Sequence, residues 1–153
     1  MTEIPTYKGT VYPGQCDQMG HMNVLWYTAK FDEASWTFLS VLGIHTTYLR
    51  DAGRRMAAVK QTISYMKELF AGDVITVATS LTHVGVTSLC FRHNMYRDGE
   101  TDPVAIGELV AVHLDASSRR GCEFPATLRS RIYPLLARAP NGPIAVSAVG
   151  GAP

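Results

Sequence analysis

The stretch Asp17-Gln18-Met19-Gly20-His21-Met22-Asn23 holds a carboxylate, an imidazole and a carboxamide within one short, glycine-containing loop. A carboxylate can attack a carbonyl carbon or take a proton from water. Asn23 suits a helix N-cap, because its side chain can accept from a free amide of the first turn. The amides beginning at Val24 then carry the partial positive charge of a helix N-terminus. Such amides stabilise an anion, including the oxyanion formed at a carbonyl under attack. Asp17 and the amide of Val24 therefore make a minimal acyl-transfer site that needs no metal. An Asp ahead of a helix also serves as a plain turn or cap residue, and spacing alone leaves both readings open.

Residues around this loop carry two readings each. His21 can orient the loop or touch a substrate, or it can simply shape the loop by hydrogen bonding. Glu33 on the following helix is expected to be a buried structural carboxylate. Trp26 and Tyr27 suit either an acyl pocket or core and interface packing. His83, His93 and His113 fall on neighbouring strands, but no Cys or carboxylate completes a metal-ligand spacing around them, and no metal is expected. Ser35, Ser64 and Ser88 lack the Gly-x-Ser-x-Gly elbow. No glycine-rich phosphate loop is present.

The elements that must hold this loop follow from periodicity. Tyr7 to Tyr12 reads as a short strand ended by Pro13-Gly14. Tyr27, Phe31, Ala34, Phe38 and Leu42 recur at three and four residues, which predicts a helix from Val24 to Leu42 capped by Gly43. His45 to Ala52 suits one or two further helical turns. The period then changes. Arg55–Glu68, Val74–Val84, Val86–Arg97 and Val104–Asp115 read as strands joined by short turns at Gly85 and Asp98-Gly99. Pro125–Leu136 suits a short terminal helix. Consecutive strands imply an antiparallel sheet, and one long helix must bury its stripe against it, an α+β architecture. Leu89, Phe91 and Met95 would face one side of the sheet and Val86, Cys90 and Tyr96 the other. One helix cannot cover both sides, so an oligomer is expected.

Composition sets the class. The chain has 153 residues, 46% hydrophobic and 18% charged, with a net charge of +1. That suits one ordered domain, expected over residues 1–138, and supplies no field for nucleic acid. Pro, Gly, Ala and Ser dominate residues 139–153, which are expected to form a disordered tail. The Met-Thr-Glu-Ile-Pro start does not read as a signal peptide, and no apolar run is long enough to span a bilayer. Cys16, Cys90 and Cys122 are odd in number and widely spaced, which suggests a reducing compartment and hence the cytoplasm.

Asp17-x-x-Gly20-His21-x-Asn23, followed by Phe31-Asp32-Glu33-Ala34 on an aromatic-rich helix and later by Ala71-Gly72-Asp73-Val74, resembles the 4-hydroxybenzoyl-CoA thioesterase family. The resemblance covers about residues 5–138. It implies the hotdog fold, one long central helix wrapped by a curved antiparallel five-stranded sheet. It implies hydrolysis of an acyl-CoA thioester to free acid and coenzyme A. Asp17 is then the nucleophile or general base, the Val24 amide the oxyanion donor, and His21 and Asn23 fall within the motif. Coenzyme A is part of the substrate, with no separate cofactor. Its phosphates would rest on surface cations, for which Lys60, Arg92, Arg97, Arg119 and Arg120 are candidates. The family also implies a homodimer with the active site at the subunit interface, often within a homotetramer.

Two alternatives follow from the same residues. An enoyl-CoA hydratase or dehydratase of this fold would pair Asp17 with His21, although the Asn-Pro expected before such a His is missing. A non-catalytic acyl-CoA-binding protein would bind without turnover and has no use for a carboxylate aimed at a carbonyl.

Overall fold

A computed structural model describes residues 3–136. Five strands form a single sheet in the order β1-β3-β4-β5-β2, every neighbouring pair antiparallel. The strands are β1 (Ile4–Thr10), β2 (Arg54–Tyr65), β3 (Val74–Val84), β4 (Ser88–Arg97) and β5 (Ala105–Asp115). The helices are α1 (Val24–Val41), α2 (Thr46–Asp51) and α3 (Ala126–Leu136). One long helix on one curved antiparallel sheet is the hotdog architecture, as the sequence implied. The proposed tail at 139–153 lies outside the described residues.

The α1 stripe is legible in its burial. Tyr27, Phe31, Ala34, Phe38 and Leu42 are all buried against the sheet. Each phenylalanine so buried contributes roughly 2–3 kcal/mol of transfer free energy. The helix ends in a paired-amide cap: Gly43 N–H donates to Ser40 O at 3.0 Å and Ile44 N–H to Leu39 O at 2.8 Å. Both bonds satisfy carbonyls that the last turn would leave unpaired. Close approach of helix to sheet depends on Gly107 of β5. A Cβ built there would lie 3.1 Å from the Phe31 ring.

Several boundaries differ from the sequence expectation. β1 begins at Ile4, three residues early, because Pro5 sits on an edge strand where a missing N–H is tolerated. It stops at Thr10, after which Val11 N–H bonds Asp73 O at 2.8 Å. β2 ends at Tyr65 because the amides of Met66 and Lys67 both turn to Val104 O. Val86 lies in the turn before β4 and is exposed, so it belongs to no sheet face. Glu33, expected to be buried, is exposed on α1. The buried charge on that helix is instead Lys30, at 3% exposure.

Candidate active site

The loop from Cys16 to Asn23 is closed on itself before it meets α1. A backbone bridge between Cys16 and Met22 pins its ends. Gly20 N–H donates to Asp17 O at 3.0 Å, and Gly20 adopts φ 87°, a conformation open mainly to glycine. Met22 N–H donates to Leu69 O at 2.7 Å, which ties the loop to the β2–β3 connection. Asn23 N–H donates to Gln15 O at 2.9 Å, which ties it to the turn after β1.

This frame fixes the Asp17 carboxylate. Its Oδ1 accepts from the Met19 amide at 2.9 Å, a local side-chain turn. Its Oδ2 accepts from Asn23 Nδ2 at 2.9 Å. The Asn23 and Met19 bonds favour the charged form and hold the carboxyl below its ordinary pKa of 3.8. Asn23 also caps α1, its Oδ1 accepting from Leu25 N–H at 3.0 Å. One carboxamide thus serves the carboxylate and the helix together. The Val24 amide, first of the helix, has no hydrogen-bond partner among the described residues.

A cleft of about 230 Å³ opens beside this loop. Its lining includes His21, Val24 and Tyr27 from the loop and α1, and Tyr65, Lys67 and Glu68 from the end of β2 and the connection after it. Tyr27 and Tyr65 meet edge to face with ring centroids 5.0 Å apart. His21 Nδ1 lies 3.3 Å from Met22 O, and its Nε2 lies 3.8 Å from Glu68 Oε1. Tyr65 and Glu68 escape a reading of the motif because they come from a distant segment, which the Met22–Leu69 bond and the Tyr27–Tyr65 and His21–Glu68 contacts bring to the loop. The Gly72-Asp73 pair downstream, where Asp73 Oδ2 accepts from Phe70 N–H at 2.8 Å, was the available hint of an ordered connection. Trp26 is half-buried beside the core, outside the cleft lining.

The basic candidates do not converge. Arg92, on the sheet face away from α1, pairs with Glu108 at 2.7 Å. Arg97 pairs with Asp73 at 3.6 Å and Glu100 at 3.0 Å. Lys60 sits exposed on edge strand β2, and Arg119 and Arg120 lie in the turn after β5. These three have no ion-pair partner among the described residues. The histidines also stay apart. His93 bonds Thr79 at 2.7 Å and Ser35 at 2.9 Å, while His113 bonds Tyr48 at 3.1 Å and Cys122 O at 2.9 Å. No group of three or more potential metal ligands occurs among the described residues.

A held carboxylate, a free helix-terminal amide and an adjoining cleft define an acyl-transfer geometry on a hotdog scaffold. Residues 11–132 match the model of the thioesterase-like superfamily, and the chain belongs to that family. Over 132 residues it is 23% identical to a betainyl-CoA thioesterase of Pseudomonas aeruginosa, covering 86% of this chain and 83% of that one. It is 31% identical over 123 residues to an L-carnitine dehydrogenase/betainyl-CoA thioesterase of Agrobacterium fabrum. That match covers 80% of this chain and only 25% of the relative, so the chain spans about a quarter of the relative's length. Among solved structures, a hypothetical protein of Staphylococcus aureus in complex with CoA superposes with a TM-score of 0.83 at 19% identity, covering 92% of this chain and 89% of that one. This likeness establishes the fold.

Proposed function

We propose that the protein hydrolyses an acyl-CoA thioester to the free acid and coenzyme A, with Asp17 as its reacting carboxylate. The observation that carries the reading is the Asp17–Asn23 clamp, which holds an ionised carboxylate in the loop that leads to an unpartnered Val24 amide. The thioester carbonyl oxygen accepts from that amide, and the negative charge of the tetrahedral intermediate develops there. Either Asp17 attacks the carbon, forming a mixed anhydride that water then opens, or it takes a proton from the water that attacks. In both routes the C–S bond breaks, the thiolate leaves and takes up a proton, and one water is consumed. His21 is among the residues lining the cleft and serves in this reading to orient the loop or the thioester. Membership of the thioesterase-like superfamily and two relatives named as CoA thioesterases support this reading.

A homodimer with the site at its interface, within a homotetramer, belongs to the same proposal. Its support is β2, an edge strand with an open hydrogen-bonding side. Val59, Tyr65 and Met66 on and beside it are 60%, 49% and 47% exposed, an apolar surface suited to a second copy. The phosphates of coenzyme A fall to the unpaired cations Lys60, Arg119 and Arg120 before Arg92 and Arg97, whose charges are already met. Three cysteines free of disulfides are consistent with a cytoplasmic site of action, and no helix among the described residues is long and apolar enough to cross a membrane.

The test is thiol release from a panel of acyl-CoA thioesters by wild type and Asp17→Asn. The wild type should turn over at least one substrate, and Asp17→Asn should lose two or more orders of magnitude in rate. Equal rates for the two proteins would remove Asp17 from the chemistry. Loss of an enoyl chromophore without thiol release would assign the protein to hydration instead.

A further inference from the structure

The loop that carries Asp17 leans on a connection with no regular structure of its own. Residues 66–73, between β2 and β3, form neither helix nor strand. Backbone bonds pin the two ends of this connection. The Met66 and Lys67 amides donate to Val104 O at 2.9 and 3.1 Å, and the Gly72 amide donates to Val11 O at 2.8 Å. Its middle is what meets the loop. Leu69 is fully buried, and its carbonyl accepts the Met22 amide at 2.7 Å. Met22 is bridged to Cys16, and the Asp17 amide donates to His21 O at 3.1 Å, so a shift at Leu69 reaches the carboxylate within a few bonds.

The backbone beside Leu69 is held by one side chain from β4. Arg97 Nη2 donates to the Glu68 carbonyl at 3.2 Å, while the Glu68 carboxylate lies 3.8 Å from His21 Nε2. The same guanidinium has two further neighbours. Nη1 is 3.6 Å from Asp73 Oδ2, and Nε is 3.0 Å from Glu100 Oε1 without the alignment of a hydrogen bond. Asp73 Oδ2 also accepts the Phe70 amide at 2.8 Å, and Glu100 Oε2 accepts Lys67 Nζ at 2.8 Å. Arg97 thus touches the connection directly at Glu68 and Asp73, and at Lys67 through Glu100. A planar fork of five N–H groups can meet three acceptors at once, which a single ammonium cannot do in the same geometry. Arg97 is not among the residues that line the cleft.

We propose that Arg97 is a positioning residue for the acyl-transfer site: it sets the Glu68–Leu69 backbone against the Asp17 loop and so keeps the carboxylate in register with the Val24 amide. This rests on the acyl-CoA reading above. The role differs from holding a phosphate of coenzyme A, for which its charge is already spent on Asp73 and Glu100.

The experiment uses an acyl-CoA and the same acyl group on N-acetylcysteamine, a truncated thioester without phosphates. Arg97→Gln and Arg97→Lys are compared with wild type by steady-state thiol release well below the melting transition, with melting curves beside them. Both variants should lose roughly 10- to 100-fold in kcat on both thioesters, with KM little changed. Arg97→Lys keeps a charge between Asp73 and Glu100, so it should melt within a few degrees of wild type and still be slow. A loss confined to the acyl-CoA and seen in KM would make Arg97 a phosphate ligand. A wild-type kcat in Arg97→Lys would mean that charge alone suffices. Either result overturns the proposal. Amide hydrogen exchange reads the tether without turnover. In Arg97→Lys the Met22 amide should exchange roughly tenfold faster or more, with the Phe38 and Leu81 amides unchanged. Should no acyl-CoA release thiol from the wild type, the hydrolase reading falls, and Met22 exchange alone then decides the tether. Unchanged protection at Met22 overturns it.

Discussion

Asn23 Nδ2 donates to Asp17 Oδ2 at 2.9 Å while the other end of the same carboxamide caps α1. The carboxylate and the helix terminus are therefore one rigid unit. Replacing Asn23 by Ala removes both contacts. The missing cap should cost about 1 kcal/mol of stability. The missing bond should raise the Asp17 pKa, because that bond is the largest cause holding it low. The acid limb of the kcat/KM–pH profile should then move to higher pH, with a fall in kcat as the carboxylate loses its orientation. Asn23→Asp restores a cap acceptor but no donor. It also sets a second carboxylate against Asp17, so any stability it recovers should appear only at acid pH, where one of the two is protonated, and the rate should stay low. Wild-type stability and rate at neutral pH would show that only the cap matters.

The oxyanion role assigned to Val24 rests on its backbone, so it is tested by removing the N–H. Proline is tolerated at the first helical position, and Asn23 already has the extended backbone, ψ 149°, that a residue before proline requires. Val24→Pro should therefore fold with a melting temperature close to wild type. It should lose roughly 10²–10³ in kcat, the scale seen when one oxyanion donor is deleted. Thermal melts beside steady-state thiol release separate the two effects. Full activity in a folded Val24→Pro protein would place the oxyanion elsewhere.

Much of this site was legible because its parts are contiguous. Asp17, Gly20, His21 and Asn23 lie in one loop, and the switch from loop to a 3.6-residue period marks where the amides must be. The long helix was equally plain, since Tyr27 to Leu42 repeats one stripe. What the sequence withheld depends on pairings distant in the chain. Lys30 has the type of a surface residue, and only the position of Tyr7 on β1 explains its burial. Glu33, two residues after the buried Phe31 on the same helix, faces solvent because it falls off the stripe that Tyr27, Phe31, Ala34 and Phe38 bury. Arg92 and Arg97 looked free for phosphates, but Glu108 of β5 and Asp73 of the β2–β3 connection, both distant in the chain, and Glu100, three residues on, already meet their charges.

His93 gives the fold a defined acid sensitivity. It is 1% exposed, stacked on Phe31 and bonded on both ring nitrogens, and burial pushes its pKa down to about 4 from 6.5. As pH falls below 6.5 the unfolded chain takes up a proton at this residue while the native one does not. The unfolded state then binds more protons, so stability drops as pH falls from 6.5 to about 4. The gap amounts to about 3 kcal/mol by the usual conversion. His113, also lowered by burial, acts in the same direction. Urea unfolding at pH 7 and pH 4.5 should show the loss, and His93→Gln should flatten the slope between them while lowering stability at pH 7.

Gly107 and Phe31 set how closely α1 lies on the sheet. Phe31 has no exposed surface and Gly107 faces its ring, so a methyl group added at Gly107 meets side-chain carbons at 3.1–3.3 Å. The ring cannot step aside within a filled core, and Gly107→Ala should destabilise by roughly 1–3 kcal/mol. Phe31→Leu alone should also destabilise, by opening a gap. The double variant should be less damaged than the sum of the two, because the smaller side chain makes room for the methyl group. A double-mutant cycle in urea measures that coupling. Strict additivity would mean that the contact is not what limits packing here.

Lys30 and Tyr7 make the last prediction, because a buried ammonium held by a neutral group is a precarious arrangement. Lys30 Nζ donates to Tyr7 Oη at 3.0 Å and lies 5.2 Å from the same ring. No carboxylate pairs with it among the described residues. Tyr7→Phe keeps the ring and removes the acceptor, leaving a buried donor unsatisfied, at a cost of roughly 1–3 kcal/mol. Lys30→Met removes the charge together with its need for a partner and fills similar volume, so it should be neutral or stabilising. The order of melting temperatures is then Lys30→Met at or above wild type and Tyr7→Phe below both. Adding Lys30→Met to Tyr7→Phe should restore most of the loss, since the phenol hydroxyl is needed only while the ammonium is there. A Tyr7→Phe protein as stable as wild type would mean that the ammonium finds water or another acceptor in solution.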